Sequence, residues 1–164
     1  MTHMQPSPSI GTALAIDIGG TKLAVGVVDA EGRLFQRYLT ATQADAPSEE
    51  LFADLCALLT RFEPFDQFMV CGVGCPGPMS LSGRLVSPLN TPAWRDFPLA
   101  ERLSAFMGLA THVENDAKAL ALAEGWVGAA VGVRDYVAMV VSTGVGGGIV
   151  LYAAYGWRNS RLRR

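Results

Sequence analysis

Leu14-Ala15-Ile16-Asp17-Ile18-Gly19-Gly20-Thr21-Lys22-Leu23-Ala24-Val25-Gly26-Val27-Val28 is the stretch that decides the fold. Two apolar, partly β-branched runs, Ala13 to Asp17 and Leu23 to Val28, flank a glycine turn, and a third run at Leu34 to Thr40 follows the Glu31-Gly32 turn. This pattern predicts three consecutive antiparallel strands. Leu51, Phe52, Leu55, Leu58, Leu59 and Phe62 then recur at helical spacing until Pro64 ends the run. Gln67 to Val73 reads as a short buried strand, followed by Gly74-Cys75-Pro76-Gly77-Pro78, whose prolines forbid regular pairing. Residues 79–95 look irregular, Pro98 to Met107 helical, and Ala110 to Val113 a brief strand. Asn115-Asp116 occupies a helix N-cap before the helix formers of Ala117 to Ala130. Tyr136 to Val141 and Gly148 to Ala153 complete a hairpin around a second glycine turn. The order predicts an α/β domain with helices on both faces of a mixed sheet.

A chain of 164 residues, half of them hydrophobic, can bury one substantial core but hardly two complete α/β domains. Its formal charge of -2 conceals an asymmetry, because Arg158, Arg161, Arg163 and Arg164 lie together at the end and leave the rest of the chain acidic. An acidic body argues against nucleic-acid binding, which needs clustered positive charge. Three cysteines, Cys56, Cys71 and Cys75, form an odd set in a chain with no signal-peptide pattern, so reduced thiols and a cytoplasmic location are expected. Cys71 and Cys75 read as buried structural thiols, since no second Cys or His pair follows to complete a metal site. Residues 1–11 read as a disordered leader. Tyr136 to Trp157 runs roughly 22 residues without a charge, a length that suits a spanning helix. Its four glycines weaken that helix, so a buried hairpin is the expectation and a membrane hairpin the rival.

Four motifs carry chemistry. Asp17-Ile18-Gly19-Gly20-Thr21-Lys22 lacks the spacing of a Walker A loop, but its glycines allow positive φ and close approach. Its amides form an anion nest, Thr21 and Lys22 add donors, and Asp17 can hold Mg²⁺ through water. An ordinary hairpin turn is the alternative. Gly72, Gly74 and Gly77 match G-x-G-x-x-G after a strand, but no helix opens on the last glycine, so a dinucleotide site is not expected. Asp116 is the candidate general base, with Asn115 beside it to position a hydroxyl, and a plain N-cap is its alternative. Ser142-Thr143-Gly144-Val145-Gly146-Gly147-Gly148 offers a second nest with two hydroxyl donors, where a bland turn needs only two glycines.

Taken in order, Leu14 to Lys22, Gly72 to Pro78, Val86 to Asn90 with Trp94 to Leu99, Val113 to Ala117, and Val141 to Gly148 resemble the ROK family of sugar kinases and repressors. The resemblance implies an actin-like, hexokinase-like ATPase (ribonuclease H-like) domain with a mixed sheet over residues 12–115. It also implies a connecting helix and the first hairpin of a second such domain over 116–153. It implies ATP held by Asp17, Gly19, Gly20, Thr21 and Lys22 from one side and by Ser142, Thr143, Gly144, Gly146 and Gly147 from the other, with Mg²⁺ at Asp17 through water. Asp116 would take the proton from a sugar hydroxyl, and Pro76, Gly77, Asn90 and Asn115 would touch the sugar.

The chain also departs from the pattern. ROK proteins run to nearly twice this length and carry a Gly-His sugar and zinc motif and a Cys-x-Cys cluster beyond the second glycine loop; without those ligands no zinc is expected. The match stops after Leu151, and the arginine-rich stretch over 154–164 suggests a frameshift or early stop, which translating the following DNA in all three frames checks. The expected partners are a small sugar and ATP, neither nucleic acid nor membrane, with self-association or aggregation through an exposed 136–153 hairpin as the liability. A remnant that binds nucleotide or sugar without turnover remains the alternative to a kinase.

Overall fold

Strands β1 (Ala13–Ile18), β2 (Lys22–Val28) and β3 (Leu34–Ala41) form the antiparallel meander expected of the opening stretch, with Ile18 opposite Leu23 and Lys22 opposite Ala41. The computed structural model describes residues 11–80, 82–141 and 145–151. Most of the expected leader, the tail over 154–164, and Ser142, Thr143 and Gly144 lie outside them. The chain divides between Asp116 and Ala117 into two compact units.

In the first unit, β4 (Cys71–Cys75) joins β1 in parallel and β5 (Thr111–Asn115) joins β4 in parallel, giving a mixed five-stranded sheet of order β3-β2-β1-β4-β5. Helices α1 (Ser48–Leu59) and α2 (Leu99–Met107) both pack on the face that carries Leu14, Ile16, Ile18, Leu23, Val25, Val27, Cys71, Val73 and Cys75. Helices on both faces were expected; in this unit the two are on one. The strand pattern explains it, because the alternate positions Ala13, Ala15, Ala24, Gly26, Gly72 and Gly74 are small and bring little apolar area for a helix to cover. Trp94 is fully buried in this core, stacks on Phe97 at 4.6 Å and donates its indole N–H to the Ser48 carbonyl at 3.2 Å. Arg102 crosses from α2 to α1, where its guanidinium forks onto the Glu49 carboxylate with two 2.7 Å bonds and lies over the Phe52 ring.

Two boundaries differ from expectation. The fourth strand runs over Cys71–Cys75 rather than from Gln67, because Phe65–Gln67 forms a 3₁₀ turn in which the Gln67 amide donates to the carbonyls of Phe62 and Pro64. It ends only at Pro76, the first residue with no N–H to give the ladder. Asn115 closes β5 in register with Cys75, and Asp116 is the first residue of α3 (Asp116–Val127) rather than its cap.

The second unit holds the rest of α3 and the hairpin β6 (Tyr136–Val141) and β7 (Val145–Val150). β7 begins before the expected Gly148, and Gly146, Gly147 and Gly148 are strand residues opposite Val140, Met139 and Ala138. Close packing on α3 accounts for two of them. A Cβ on Gly146 would lie 3.0 Å from the Ala117 Cβ, and one on Gly148 only 2.5 Å from the Ala121 Cβ. The Tyr136 hydroxyl, lying against Gly125, donates to the Ala121 carbonyl at 2.7 Å and ties the same two elements. On the other hairpin face Val137, Met139, Val141, Val145 and Ile149 are 62–75% exposed. Among the described residues no helix is long and apolar enough to cross a membrane.

Gly148→Ala puts a methyl where the helix already stands and is expected to lower the stability of this unit by about 1–3 kcal/mol. Urea unfolding followed by Trp126 fluorescence checks it; an unchanged midpoint would show that the hairpin does not pack on α3 this closely.

Candidate functional site

The carboxyl ends of the parallel strands β1, β4 and β5 lie side by side, with Asp17 opposite Gly74, Gly74 opposite Glu114 and Cys75 opposite Asn115. Ligands of open α/β sheets bind outside such ends. Asp17, Gly19, Gly20, Thr21, Lys22, Pro76, Gly77, Asn115 and Asp116 lie at or directly after these ends, and Asn90 is brought to them.

The β1–β2 connection is three residues, Gly19, Gly20 and Thr21, and the Gly19 amide donates to the Lys22 carbonyl at 3.0 Å. Neither Gly19 nor Gly20 adopts a positive φ, so conformational freedom is not why glycine stands there, contrary to expectation. Close approach is the reason. A Cβ on Gly19 would lie 2.8 Å from the Lys22 carbonyl oxygen, and one on Gly20 would meet the Asn90 side chain at 2.9–3.1 Å. Thr21 and Lys22 are exposed at the mouth.

Asn90 is delivered by the irregular stretch between β4 and α2. Val86 bridges to Met79 and Phe97, the Ser87 amide donates to the Pro78 carbonyl at 2.8 Å, and the Leu89 amide reaches the Gly77 carbonyl at 3.3 Å. Arg95 braces the turn by donating to the carbonyls of Pro88 and Trp94. Ser87 accepts the Asp96 amide at 2.9 Å, which holds Asp96 at φ 48°. A Cβ on Gly77 would lie 3.5 Å from the Asn115 amide nitrogen. Gly20, Asn90, Pro76-Gly77 and Asn115 are thereby gathered around one mouth. Arg95 and Ser87 were not singled out from the sequence, although both lie in blocks that carry the family resemblance, and Asp96 stood out only as the acid at ribose-binding distance from the rejected G-x-G-x-x-G motif; nothing in residue type marked the three as braces.

Asp116 follows Asn115 directly and stands over Gly74, where a Cβ would lie 3.7 Å from the Asp116 Cα. The Asp17 carboxyl is pushed above its ordinary range, first by partial desolvation and second by the negative charge of Asp116, with Arg37 and Lys22 pulling the other way. Cys75, buried on the core face, has its thiol pushed up to about 12 by burial and then by the same two carboxylates. Burial also raises Cys71 to about 12 and the half-buried Cys56 to about 11, so all three free cysteines are inert thiols at neutral pH.

In the second unit Gly146 and Gly147 lie in β7, while Ser142, Thr143 and Gly144 fall outside the described residues. Among the described residues no three His, Cys, Asp or Glu side chains converge as a metal cluster.

This sheet and the loops at its carboxyl edge are those of an actin-like, hexokinase-like ATPase. The profile of the ROK family matches residues 13–155, and the chain belongs to that family. It is 30% identical over 141 residues to a glucokinase of Thermotoga maritima, covering 85% of this chain and 44% of that protein. It is 38% identical over 140 residues to an N-acetylmannosamine kinase of Escherichia fergusonii, covering 85% and 47%. A ROK family glucokinase from Streptomyces griseus, solved in complex with glucose and AMPPNP, superposes with a TM-score of 0.77 at 34% identity, over 86% of this chain and 45% of that one. The chain thus spans about half the length of the relatives it matches.

Two predictions follow from this geometry. Because the folded Asp17 binds its proton more tightly than the ordinary carboxyl of the unfolded chain, stability falls as pH rises from the unfolded value of 3.8 through the raised folded value. Asp17→Asn should remove that slope and stabilise the protein at neutral pH by less than about 1 kcal/mol, since the carboxylate is exposed and screened. Thermal melts in metal-free buffer from pH 3 to 7 read it, and parallel curves for the two proteins would refute the upward shift of Asp17. Gly20→Ala should displace Asn90, seen as a shift of its side-chain amide cross-peak; an unmoved peak would deny the contact.

Proposed function

We propose that this chain carries ATP-dependent transfer of a phosphoryl group to a hydroxyl of a hexose or N-acetylhexosamine, in the cytoplasm. The supporting observation is the gathering of Asp17, the Gly19–Lys22 turn, Asn90, Pro76-Gly77, Asn115 and Asp116 at one end of β1, β4 and β5. Relatives named as glucokinase and N-acetylmannosamine kinase support this substrate class. On this reading residues 12–115 are the first ATPase domain, and 116–153 form the connecting helix and the start of a second.

Amides of the first turn, with Thr21 and Lys22, receive the phosphates of ATP, and Ser142, Thr143, Gly144, Gly146 and Gly147 contribute from the second unit. Asn90 and Asn115 hydrogen-bond sugar hydroxyls, and Pro76-Gly77 forms the wall beside them. Asp116 accepts the proton of the attacking hydroxyl as its oxygen bonds to the γ-phosphorus and the bond to ADP breaks. The raised Asp17 pKa fits Mg²⁺, because a cation held at Asp17 would offset the negative charge of Asp116 that, after partial burial, raises it. Asp17 would hold the ion through water, and the bound ion would shield phosphate charge.

Asp116→Asn should lower turnover by about 10²–10⁴-fold while AMPPNP and sugar still bind. A coupled ADP-release assay with glucose and with N-acetylmannosamine, beside calorimetry with AMPPNP, decides it. Wild-type binding without turnover would replace the kinase reading with that of a binding module, and equal turnover in the variant would remove Asp116 as the base.

A further inference from the structure

The first glycine turn is held from outside itself. Thr42, the residue after β3, donates its hydroxyl to the Gly19 carbonyl at 2.7 Å and its backbone N–H to the Thr21 carbonyl at 3.0 Å. The strand register places it there, since Lys22 pairs with Ala41 and the turn therefore projects beside the next residue. In a planar trans peptide, a carbonyl and the following N–H point in opposite directions. With the Gly19 and Thr21 carbonyls turned toward Thr42, the N–H groups of Gly20 and Lys22 are turned away from it. Two peptide groups of the turn are thus held by one residue outside it.

We propose that Thr42 is a positioning residue for the phosphates of a nucleoside triphosphate, acting by holding the Gly19 and Thr21 carbonyls so that the Gly20 and Lys22 amides face the ligand. The assignment rests on the nucleotide-binding reading given above. Thr42 itself touches no phosphate. Its backbone bond survives any substitution except proline, so the hydroxyl is the separable part. Valine keeps the shape and loses the donor; serine keeps the donor and loses a methyl.

The test uses the full chain as wild type, Thr42→Val and Thr42→Ser. Calorimetry with Mg²⁺-AMPPNP, adenosine and glucose separates phosphate binding from the rest, and amide exchange of Gly19 in ligand-free protein reads the turn itself. Thr42→Val should weaken AMPPNP by roughly fivefold, the loss of one hydrogen bond's worth of orientation, with adenosine and glucose unchanged. Gly19 exchange should accelerate in Thr42→Val, and Thr42→Ser should restore both readouts. Unchanged Gly19 exchange in Thr42→Val overturns the hold on the turn, and equal losses for all three ligands overturn a specific role toward phosphate. Failure of the wild type to bind AMPPNP overturns the nucleotide reading and the phosphate role with it, while the hold on the turn is still decided by Gly19 exchange.

Discussion

Gly74 stands between Asp17 and Glu114 in the parallel register of β1, β4 and β5 and gives no side chain to the face they share. Register partners in parallel strands project to the same side, so any large residue at 74 would fill the space that Asp116 occupies. Its absence lets the first residue of α3 settle 3.7 Å from where that Cβ would be, and brings a second carboxylate into the field of Asp17. The juxtaposition is electrostatically unfavourable, and together with partial burial it outweighs the pull of Arg37 and Lys22 on the Asp17 carboxyl. Repulsion of this kind persists where the surrounding structure over-determines the geometry.

That over-determination comes from the opposite face of the same strands. Leu14, Ile18, Leu23, Leu51, Leu55, Leu59, Leu99 and Leu103 are fully buried, each contributing roughly 1.5–3 kcal/mol of transfer free energy. Strand alternation divides the work by position: even residues of β1 fill the core while Asp17 faces outward. A one-residue slip of β1 would expose Leu14, Ile16 and Ile18 and bury the carboxylate, so the core fixes the register and the register fixes the site.

How much of this was legible depends on the range of the interaction. The meander, α1, α2 and the junction at Asn115-Asp116 follow from local periodicity and punctuation, and they stand within a few residues of expectation. The roles of glycines were less legible, because a turn and a close approach use the same residue. Gly19 and Gly20 invited an argument from positive φ, yet a carbonyl and an asparagine side chain are what exclude a Cβ there. Gly146 and Gly148 read as turn residues, but their reason is helix α3, where Ala117 and Ala121 lie 29 and 27 positions earlier in sequence. Thr42 carried no sequence signal, since its partners lie across a strand pairing that only the register reveals.

The same close approaches make the mouth one connected surface rather than a set of independent loops. Asn90 abuts Gly20, its own stretch is bonded to Gly77 and Pro78, and Gly77 abuts Asn115, which adjoins Asp116. The tight place is Gly20, where an added Cβ would meet the Asn90 side chain at 2.9–3.1 Å, whereas one on Gly77 would meet Asn115 at an ordinary 3.5 Å; at the tight place a small displacement must be passed to the neighbour because packed groups have no slack to absorb it. A ligand that moves Asn90 therefore presses on the turn at Gly20, and one that moves the turn presses on Asn90. Steric coupling of this sort needs no relay of charges; it follows from a glycine, Gly20, that leaves no room for even a methyl between the two loops it joins.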